Sequence, residues 1–582
     1  MNTNIRKVQD LSIEGDIYEH YSNLVGKVIS SGDSDPKFLS YDSSEPPCPI
    51  GPNQFTRVKL TDGSCDLTCF NDSFIKMKIN TTLNFSSVLV KKIASVNKKT
   101  QDYTFRNGEM KGGVNVVEDF MNDVPILYVG FKSGIHAIDH YRVYNEKGRG
   151  YIAEQSQAIY ESVLNYFAKS DEEIGRRPGC YATESKILEN CPNLPGRYIT
   201  YGEFVNCIGN GNSGTMDISF EVIVPFDDFA CFQFFDIYPN NICGNLQLEL
   251  KLNSNKNFVI YPIPLDLGFK KAYNKDSTLY KDISQAENFD AYPDGLGFTS
   301  ELDTGFYPSG EKFKMNITAY DKASKGGVVL TDENVLYSRI YNMTITTGNF
   351  ILTECKSFIN GYNSSQSKMN DIKQLLSSNK IYIPAQRIDQ YTFSQRPSSN
   401  MINCNTTQSL INCSSMVFLF PKSNNYLSCS KNPMLDSLQV QIDNKSYPDK
   451  PFSTYSLQHS NYVLSNLMFN SYFKPNSGLY HAVNESILNE HAGREKDKTN
   501  YMFVISTERK DSDPYVFEGI SKNNVFITLN ATYSNKSFYT ESNNDLACPI
   551  MLLNQDTLWE LSSEGTNYYY NDRSIVPKLT GN

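Results

Sequence analysis

The stretch LQVQIDNKSYPDKPFSTYS, residues 438–456, joins a strand pattern to a turn and then to two prolines. Its first five residues alternate between apolar and polar side chains, which is typical of a β-strand with one buried face. The Asp443-Asn444 pair that follows has the composition of a chain reversal. Pro448 and Pro451 lack a backbone N–H group, so we expect them to end the hydrogen-bonded ladder and direct the chain away from the sheet. The stretch carries no arrangement of catalytic side chains.

The same alternation recurs along the chain, and each run would present one face to a core and the other to water. Together these runs predict antiparallel β-sandwiches, because buried parallel strands are apolar on both faces. The apolar positions of these runs are Ile75, Met77 and Ile79; Ile218, Phe220, Val222 and Val224; Leu246, Leu248, Leu250 and Leu252; Leu438, Val440 and Ile442; and Val525, Ile527, Leu529 and Ala531.

Helical patterns are scarce and short. Residues 155–169 and 365–379 repeat apolar side chains every three or four positions, so each predicts a helix inserted between strands. The segment YRVYNEKGRGYIAEQ predicts a hairpin that turns through Asn145–Gly150. The apolar faces of the two helices are formed by Ile159, Val163 and Phe167, and by Met369, Ile372 and Leu376.

The chain of 582 residues is long enough for more than one core. Strand signals fall into two regions of similar size, separated by residues 266–310, which are rich in turn signals. We therefore predict an N-terminal arm (1–45), a first sandwich (46–265), a connecting segment (266–310), and a second sandwich with a polar C-terminal tail (311–582).

Composition excludes several classes of function. The net charge of −10 argues against a nucleic-acid binder, since neutralising phosphates requires clustered lysine and arginine. The N-terminus has no apolar core of a signal peptide, and no apolar run reaches the roughly 18 residues of a membrane span. The thirteen cysteines are scattered in spacing, so we expect free, buried thiols in a reducing compartment.

Two motifs resemble binding sites but lack their context. GNGNSG, from Gly209 to Gly214, matches the glycine pattern of a dinucleotide loop, yet a strand pattern follows where that loop needs a helix. HAIDH places His136 and His140 four residues apart without the glutamate of a zinc protease. On a strand these histidines would lie roughly 13 Å apart, too far for one metal ion.

Other polar groups are also interpreted as structural. His481 and His491, near Glu485 and Glu490, could form an acid–base or metal cluster, but they lie in a polar, loop-like region. Adjacent carboxylates are common on surfaces, and the cysteines lack the paired spacing of a zinc site. We therefore expect no catalytic, cofactor or metal residues, and no enzyme activity. The carboxylates are Asp227-Asp228 and Glu172-Glu173, and the cysteines are Cys404, Cys413 and Cys429.

A series of segments resembles one protein family. In the second half they are ECKSFINGY (354–362), YIPAQRIDQYTF (382–393), VFLFPKSNN (417–425), NPMLDSLQVQIDNKSYPDKPFST (432–454) and FVISTERKDSDPYVFEG (503–519). Looser matches in the first half are FTRVKLTDGSCDL (55–67), VGFKSGIHAIDHYRVYN (129–145) and VPFDDFACFQFFDIYPNNICGNLQLELKL (224–252). Their order and spacing resemble the major capsid proteins of Maverick/Polinton-type elements and related adintovirus-like viruses.

That resemblance implies a double jelly roll, in which two eight-stranded antiparallel sandwiches lie side by side in one chain. It also implies hexon-type homotrimers of pseudo-hexameric outline that tile an icosahedral capsid around a double-stranded DNA genome. The implied partners are other copies of the chain, neighbouring capsomers, and penton and minor capsid proteins, without sequence-specific nucleic acid or a membrane span. The implied location is the virion, after synthesis in the host cytosol and assembly in the cytoplasm or nucleus.

Two other classes of function fit parts of the pattern. A carbohydrate-binding or adhesin-type sandwich would suit the tyrosine-rich composition, since jelly rolls and tyrosine surfaces bind saccharides. A β-sandwich hydrolase would need a pair of acids facing each other across a cleft, which sequence alone does not reveal. Glycan binding by a monomer would favour the first, and a clustered carboxylate pair in a deep cleft would favour the second.

Overall fold

The computed structural model is built mainly of antiparallel β-strands, with few helices. The structure describes residues 20–27, 29–30, 34–94, 102–104, 110–112, 122–147, 150–169, 171–209, 212–253, 257–263, 265–271, 305–321, 335–397, 401–422, 427–430, 432–454, 501–507, 519–533 and 547–569. The predicted all-β class, with short inserted helices, is confirmed. None of the described helices is both long and apolar enough to cross a membrane.

The strands before residue 364 form a first unit. In chain order they are β1 (Asp35–Asp42), β2 (Phe55–Lys59), β3 (Leu67–Ala94), β4 (Asp102–Thr104), β5 (Met110–Gly112), β6 (Pro125–Gly130), β7 (Ile138–Asn145), β8 (Gly150–Ser156), β9 (Gly196–Thr200), β10 (Ser213–Pro225), β11 (Ile237–Tyr238), β12 (Leu246–Leu252), β13 (Val259–Pro262), β14 (Leu265–Lys271), β15 (Tyr307–Pro308), β16 (Lys312–Asp321), β17 (Val335–Thr347) and β18 (Ile351–Asn363).

The strands after residue 380 form a second unit: β19 (Ile381–Thr392), β20 (Met401–Leu419), β21 (Leu435–Ile442), β22 (Lys445–Phe452), β23 (Phe503–Ser506), β24 (Ile520–Tyr533), β25 (Ile550–Ser562) and β26 (Gly565–Tyr569). The helices are α1 (residues 20–27), α2 (Glu161–Ala168), α3 (Asp171–Arg176), α4 (Glu184–Leu188), α5 (Tyr201–Ile208), α6 (Asn240–Cys243) and α7 (Gln366–Ser378). Single 3₁₀ turns lie at Gly134–Ala137, Ala158–Tyr160, Phe226–Asp228 and Ala230–Phe232.

Strand β3, with 28 residues, is the central strand of the first unit's largest sheet. It pairs with β10 along one edge, and with β18 and then β17 along the other, within a ten-stranded sheet. The predicted alternation holds on β3. Ile75, Met77 and Ile79 are buried there, while the lysines between them are not. This pattern allows one face of the long sheet to pack on a core while the other faces outward.

Two four-stranded sheets contribute to the same core as the long sheet. Their strand orders are β2-β12-β7-β8 and β15-β13-β6-β9. The leucines of β12 are buried as predicted, and they share one apolar cluster with the inward face of β3 and with β13 residues such as Ile260. The predicted hairpin is confirmed by β7 and β8, which pair from His140–Ser156 to Asn145–Gly150.

The second unit is a single eight-stranded sheet folded over its own core. The first part of β20 pairs with β24, and its last part pairs with β25 and β23. The pairing is irregular between Leu410 and Cys413, where Asn412 has a positive φ of 46°. Such irregularities allow one strand to pass from one layer of a sandwich to the other. The predicted alternations of β21 and β24 are confirmed by burial.

The two prolines do not end the ladder, so that prediction was wrong. The chain reverses at Asp443, and the return strand β22 pairs with β21 as far as Phe452, with an irregularity opposite Gln439. Among the described strands β22 lies at the edge of its sheet, where a missing N–H group can be tolerated. The Gln439 side-chain amide spans the irregularity and donates to the carbonyls of Pro448 (3.0 Å) and Asp449 (3.2 Å).

Both predicted helices form. In the first, residues 158–160 are a 3₁₀ turn and α2 follows, while residues 155–156 still belong to β8. In α7 the predicted apolar face is buried in the large apolar cluster that also contains Trp559 and Leu561 of β25. The Leu376 carbonyl accepts a hydrogen bond from the Ser563 N–H group, so the helix that leads the chain from β18 to β19 packs beside β25.

Strand pairing also bears on the predicted domain boundaries. Strands β16, β17 and β18 lie beyond residue 310, yet they belong to the ten-stranded sheet of the first unit. Strand β1, from the predicted N-terminal arm, pairs with β18 over its full length. Most of the predicted connecting segment, residues 272–304, lies outside the described residues, as do the arm before residue 20 and the tail after residue 569.

Candidate functional site

The residues singled out for chemistry do not converge. GNGNSG follows α5, whose C-cap is Gly209, and leads into β10 at Ser213, so the helix precedes the loop and the strand follows it. A phosphate-binding loop needs the opposite order, because the phosphate lies at the N-terminus of the following helix. Residues 210 and 211 lie outside the described residues.

The two histidines of HAIDH face different surroundings. His136 lies in a 3₁₀ turn and is buried, whereas His140 lies in β7 with its Nε2 atom 2.8 Å from Glu154 Oε1. Asp139, between them, forms an ion pair with Lys251 at 2.9 Å. Within the described part of the chain no group of three or more potential ligands could hold a metal ion.

The remaining candidates divide into two groups. The side chains of Cys404, Cys413 and Cys429 are buried, and none of the three forms a disulfide. His481 and His491, which were interpreted as side chains of a polar loop and not as a site, lie outside the described residues. The same is true of the side chains of Glu172-Glu173.

Asp227 and Asp228 were interpreted as surface carboxylates, and that interpretation was wrong. Both are buried, with no exposed surface on Asp228. The two terminal nitrogens of Arg177 donate to the two carboxylate oxygens of Asp227, at 2.7 and 2.6 Å, and Lys169 contacts Asp228. Adjacent acids can be buried when cations from other segments neutralise them, and sequence proximity does not indicate those partners.

This buried network fixes the segment that carries α2 and α3. Tyr181 donates to Asp228 Oδ1 at 2.6 Å, and Asn165 of α2 donates to the Asp228 carbonyl at 2.9 Å. Burial raises the pKa of Tyr181 well above its ordinary value, and the Asp228 charge raises it further. The network therefore holds the 3₁₀ turn at Phe226–Asp228, and the aromatic segment that follows it, in one position.

That aromatic segment forms the centre of a seam, defined here as the contact between the first and second units. Trp559, on β25 of the second unit, is fully buried and stacks on Phe232 of the first, with ring centroids 5.5 Å apart. Phe235 meets the same indole edge-on at 5.5 Å, and the indole N–H donates to the Cys231 carbonyl. The only tryptophan of the chain thus packs between the first and second units.

A second apolar patch extends the seam along α2. It joins side chains of the first unit to the outer faces of β19, β20, β23 and β25. The members of this cluster are Ile159, Tyr160, Val163, Ala230, Ile388, Val417, Leu419, Met502, Val504, Ile550 and Leu552. The alternation of β20 at this end is lost because both of its faces are buried, one in the sandwich core and one in the seam.

Hydrogen bonds fix the register of the two units. Gln155 donates to the Ile388 carbonyl at 2.7 Å, and Asn145 donates to the Thr566 carbonyl at 3.1 Å. The Tyr238 hydroxyl lies 2.8 Å from Thr566 Oγ1. Because these groups are buried and directional, they specify how the units are aligned as well as holding them together.

Two of the segments that carry the family resemblance contribute residues to packing within and between the units. In YIPAQRIDQYTF, which forms β19, Ile383 and Ala385 are buried in the core cluster of the first unit. Phe420 of the FPK segment is buried in the second core, and Lys422 lies 3.9 Å from Glu311. The described residues of these two segments therefore contribute to packing.

Sequence reasoning missed the role of Trp559 and the burial of Glu161. Glu161, at the start of α2, accepts a 2.7 Å hydrogen bond from the Tyr141 hydroxyl. Burial raises the pKa of its carboxyl to about 8, an effect that the Tyr141 hydrogen bond partly offsets. Glu161 is therefore protonated in the folded protein near neutral pH. A lone tryptophan in a chain rich in tyrosine and phenylalanine was the available signal for the seam; no local pattern indicated Glu161.

We expect Glu161→Gln to make the stability of the protein less sensitive to a rise in pH from 5 to 8. Since the folded-state pKa is raised above the unfolded value of 4.5, the stabilising contribution is complete below pH 4.5 and is lost as pH rises towards 8. A tenfold difference in proton affinity between the folded and unfolded states corresponds to about 1.4 kcal/mol, so the loss should reach a few kcal/mol. Urea midpoints from pH 5 to 9, followed by Trp559 fluorescence, measure it.

The control for this experiment is Glu221→Gln, which alters an exposed carboxylate paired with Lys76. This variant should retain the loss of stability that the unaltered protein shows between pH 5 and 8. A loss of equal size over this pH range in Glu161→Gln would show that other groups cause it.

Comparison with known proteins gives structural matches only. No protein-family model matches the chain, and no curated protein matches it. Among solved structures, the chain is similar to the mavirus major capsid protein, with 9% identity and a TM-score of 0.46, over 94% of this chain and 92% of that one. It is similar to a chain of the Sputnik virophage, with 10% identity and a TM-score of 0.43, over 95% and 92%. It is also similar to the Faustovirus major capsid protein, with 9% identity and a TM-score of 0.41, over 91% of this chain and 92% of that one.

Proposed function

We propose that the chain is a viral major capsid protein with a double jelly-roll fold. The observation that carries the proposal is the seam: two antiparallel sandwiches are joined side by side in one chain by a continuous buried contact. A rigid pair of sandwiches is a building block for a closed shell, and the polar groups described above stabilise that pair without forming a catalytic constellation.

The assembly that we propose is a homotrimer. Three chains, each with two sandwiches, place six similar units around one axis and give a pseudo-hexameric outline. Threefold closure satisfies head-to-tail contacts without producing an open filament, and obligate interfaces of this kind commonly bury more than about 2,000 Å². Such capsomers would tile an icosahedral shell around double-stranded DNA, with penton and minor capsid proteins as further partners.

We also propose that the chain belongs to the Maverick/Polinton-type lineage and is located in the virion shell. The segments of resemblance support this, since they include β19 at the seam and β22 at the sheet edge. The division into two sandwiches is proposed to fall after residue 363, because β17 and β18 pair with β3.

The test is the oligomeric state of the purified full chain. We expect light scattering coupled to size exclusion to give three times the chain mass of 65.9 kDa, and electron microscopy to show particles of pseudo-hexagonal outline. Shells assembled from these particles would support the proposal further. A stable monomer at every concentration tested would contradict it, and glycan-array binding by that monomer would favour the carbohydrate-binding alternative.

A further inference from the structure

The seam contains a small cavity at its α2 end. It has a volume of about 40 Å³ and lies between the first and second units. Its lining residues are His136, Ile159, Tyr160, Ser162 and Val163 from the first unit, and Leu419, Leu427, Ser428, Ser430, Tyr501 and Met502 from the second. Most of the lining is apolar, as is the surrounding patch, so the polar side chains that line the cavity require an explanation.

Three polar atoms that belong to lining residues have no hydrogen-bond partner among the described residues. They are His136 Nδ1, the Tyr160 hydroxyl and Ser430 Oγ. His136 and Tyr160 are each more than nine-tenths buried, with 3% and 2% of their surface exposed. Leaving a buried polar group unpaired costs free energy comparable to a lost hydrogen bond, so three in one place are unfavourable unless something pairs with them.

We propose that this cavity is a water-binding site, and that ordered water links the two sandwiches through His136, Tyr160 and Ser430. A water molecule needs about 10–15 Å³ of such space and two to four polar partners. The cavity has room for more than one, and its polar residues come from both sides of the seam. None of the described residues that line the cavity carries a carboxylate to attract a cation.

The chemistry of the three groups suits water. Burial, and to a smaller extent the nearby charge of Lys132, lower the pKa of His136 to about 3, so the imidazole is neutral. A neutral imidazole nitrogen can accept or donate, depending on its tautomer, and both hydroxyl groups can do either. Ser162, by contrast, already donates to the Ile159 carbonyl at 2.7 Å and is not needed as a partner.

The consequence is that this end of the seam is joined by hydrogen bonds through water, and the Trp559 end by direct contact. Bridging water is nearly as favourable as a direct hydrogen bond and tolerates small changes in distance. This inference does not depend on the proposed capsid function, because it concerns only the contact between two parts of one chain.

The test uses the sign of a stability change in the full-length protein. If water bridges the groups, Tyr160→Phe removes a satisfied hydroxyl and should lower the urea midpoint, monitored by Trp559 fluorescence. If the cavity is dry, the same change removes an unpaired buried hydroxyl and should raise the midpoint. Tyr128→Phe is the matched control, because Tyr128 is also buried and donates to the Phe131 carbonyl at 3.0 Å.

We expect both variants to lower the midpoint by comparable amounts. A midpoint that rises in Tyr160→Phe and falls in Tyr128→Phe would overturn the proposal. A high-resolution map of the unaltered protein provides a second measurement, independent of how the variants fold. We expect solvent density within hydrogen-bond distance of the Tyr160 hydroxyl and of Ser430 Oγ, and an empty cavity there would also overturn the proposal.

Discussion

Replacing Trp559 by alanine should lower the free energy of unfolding by about 3–5 kcal/mol, the usual cost of deleting a large buried aromatic side chain. The indole is fully buried and stacks on Phe232 across the seam, so its removal leaves a cavity between two rigid sheets. The substitution also leaves the Cys231 carbonyl without its indole donor. Equilibrium unfolding in urea, followed by far-ultraviolet circular dichroism, measures the loss.

Two further variants separate the causes. Trp559→Phe keeps an aromatic ring but deletes the indole N–H donor. It should therefore lower the free energy of unfolding by less than Trp559→Ala does. Phe526→Ala removes an aromatic side chain of the second unit that is 48% exposed, and it should change stability by no more than about 0.5 kcal/mol. Equal losses for Trp559→Ala and Phe526→Ala would mean that the seam contributes little to stability.

Replacing Lys169 by methionine should cost a similar amount, about 3–5 kcal/mol, because it removes one partner of a buried ion pair. Asp228 has no exposed surface, so its carboxylate would remain buried beside the more distant Arg177, 3.6 Å away. The effect should be visible as a lower urea midpoint in Trp559 fluorescence. The turn held by Asp228 leads directly to the residues that contact this tryptophan.

The double variant Lys169→Met/Asp228→Asn tests the cause. If an uncompensated charge is responsible, neutralising the carboxylate should recover part of the loss. Lys76→Met provides the matched surface control, because Lys76 pairs with Glu221 at 2.8 Å and both side chains are partly exposed. That change should cost no more than about 1 kcal/mol. A double variant as unstable as, or less stable than, Lys169→Met would contradict this explanation.

Much of the strand content could be predicted because burial of one face imposes a period of two. Strand β10 is an example: Ile218, Phe220, Val222 and Val224 are all buried, and Asp217, Ser219 and Glu221 are exposed. The predicted face of α7 is buried for the corresponding reason with a helical period. In both cases the pattern depends only on neighbouring residues, so the sequence contains all the information needed.

Pairing between distant strands could not be predicted in this way. Nothing local in β17 or β18 indicates that their partner is β3, and a boundary drawn from turn signals separated them from it. The same limit applied to Asp227 and Asp228, because their burial depends on Lys169 and Arg177 in another segment. The prolines of β22 were misjudged for a related reason: their effect depends on whether the strand lies at an edge, which is a property of the whole sheet.

The long pairing of β3 has a consequence for how the protein folds as it is made. About 240 residues separate the end of β3 from the start of β17, its partner along one edge. At 5–20 residues per second a ribosome needs on the order of 10–50 s to make that length. During this interval the edge of the 28-residue strand β3 that pairs with β17 and β18 has no partner, and its backbone N–H and C=O groups are unpaired along that edge. We therefore expect the nascent chain to depend on chaperones until residue 363 has emerged.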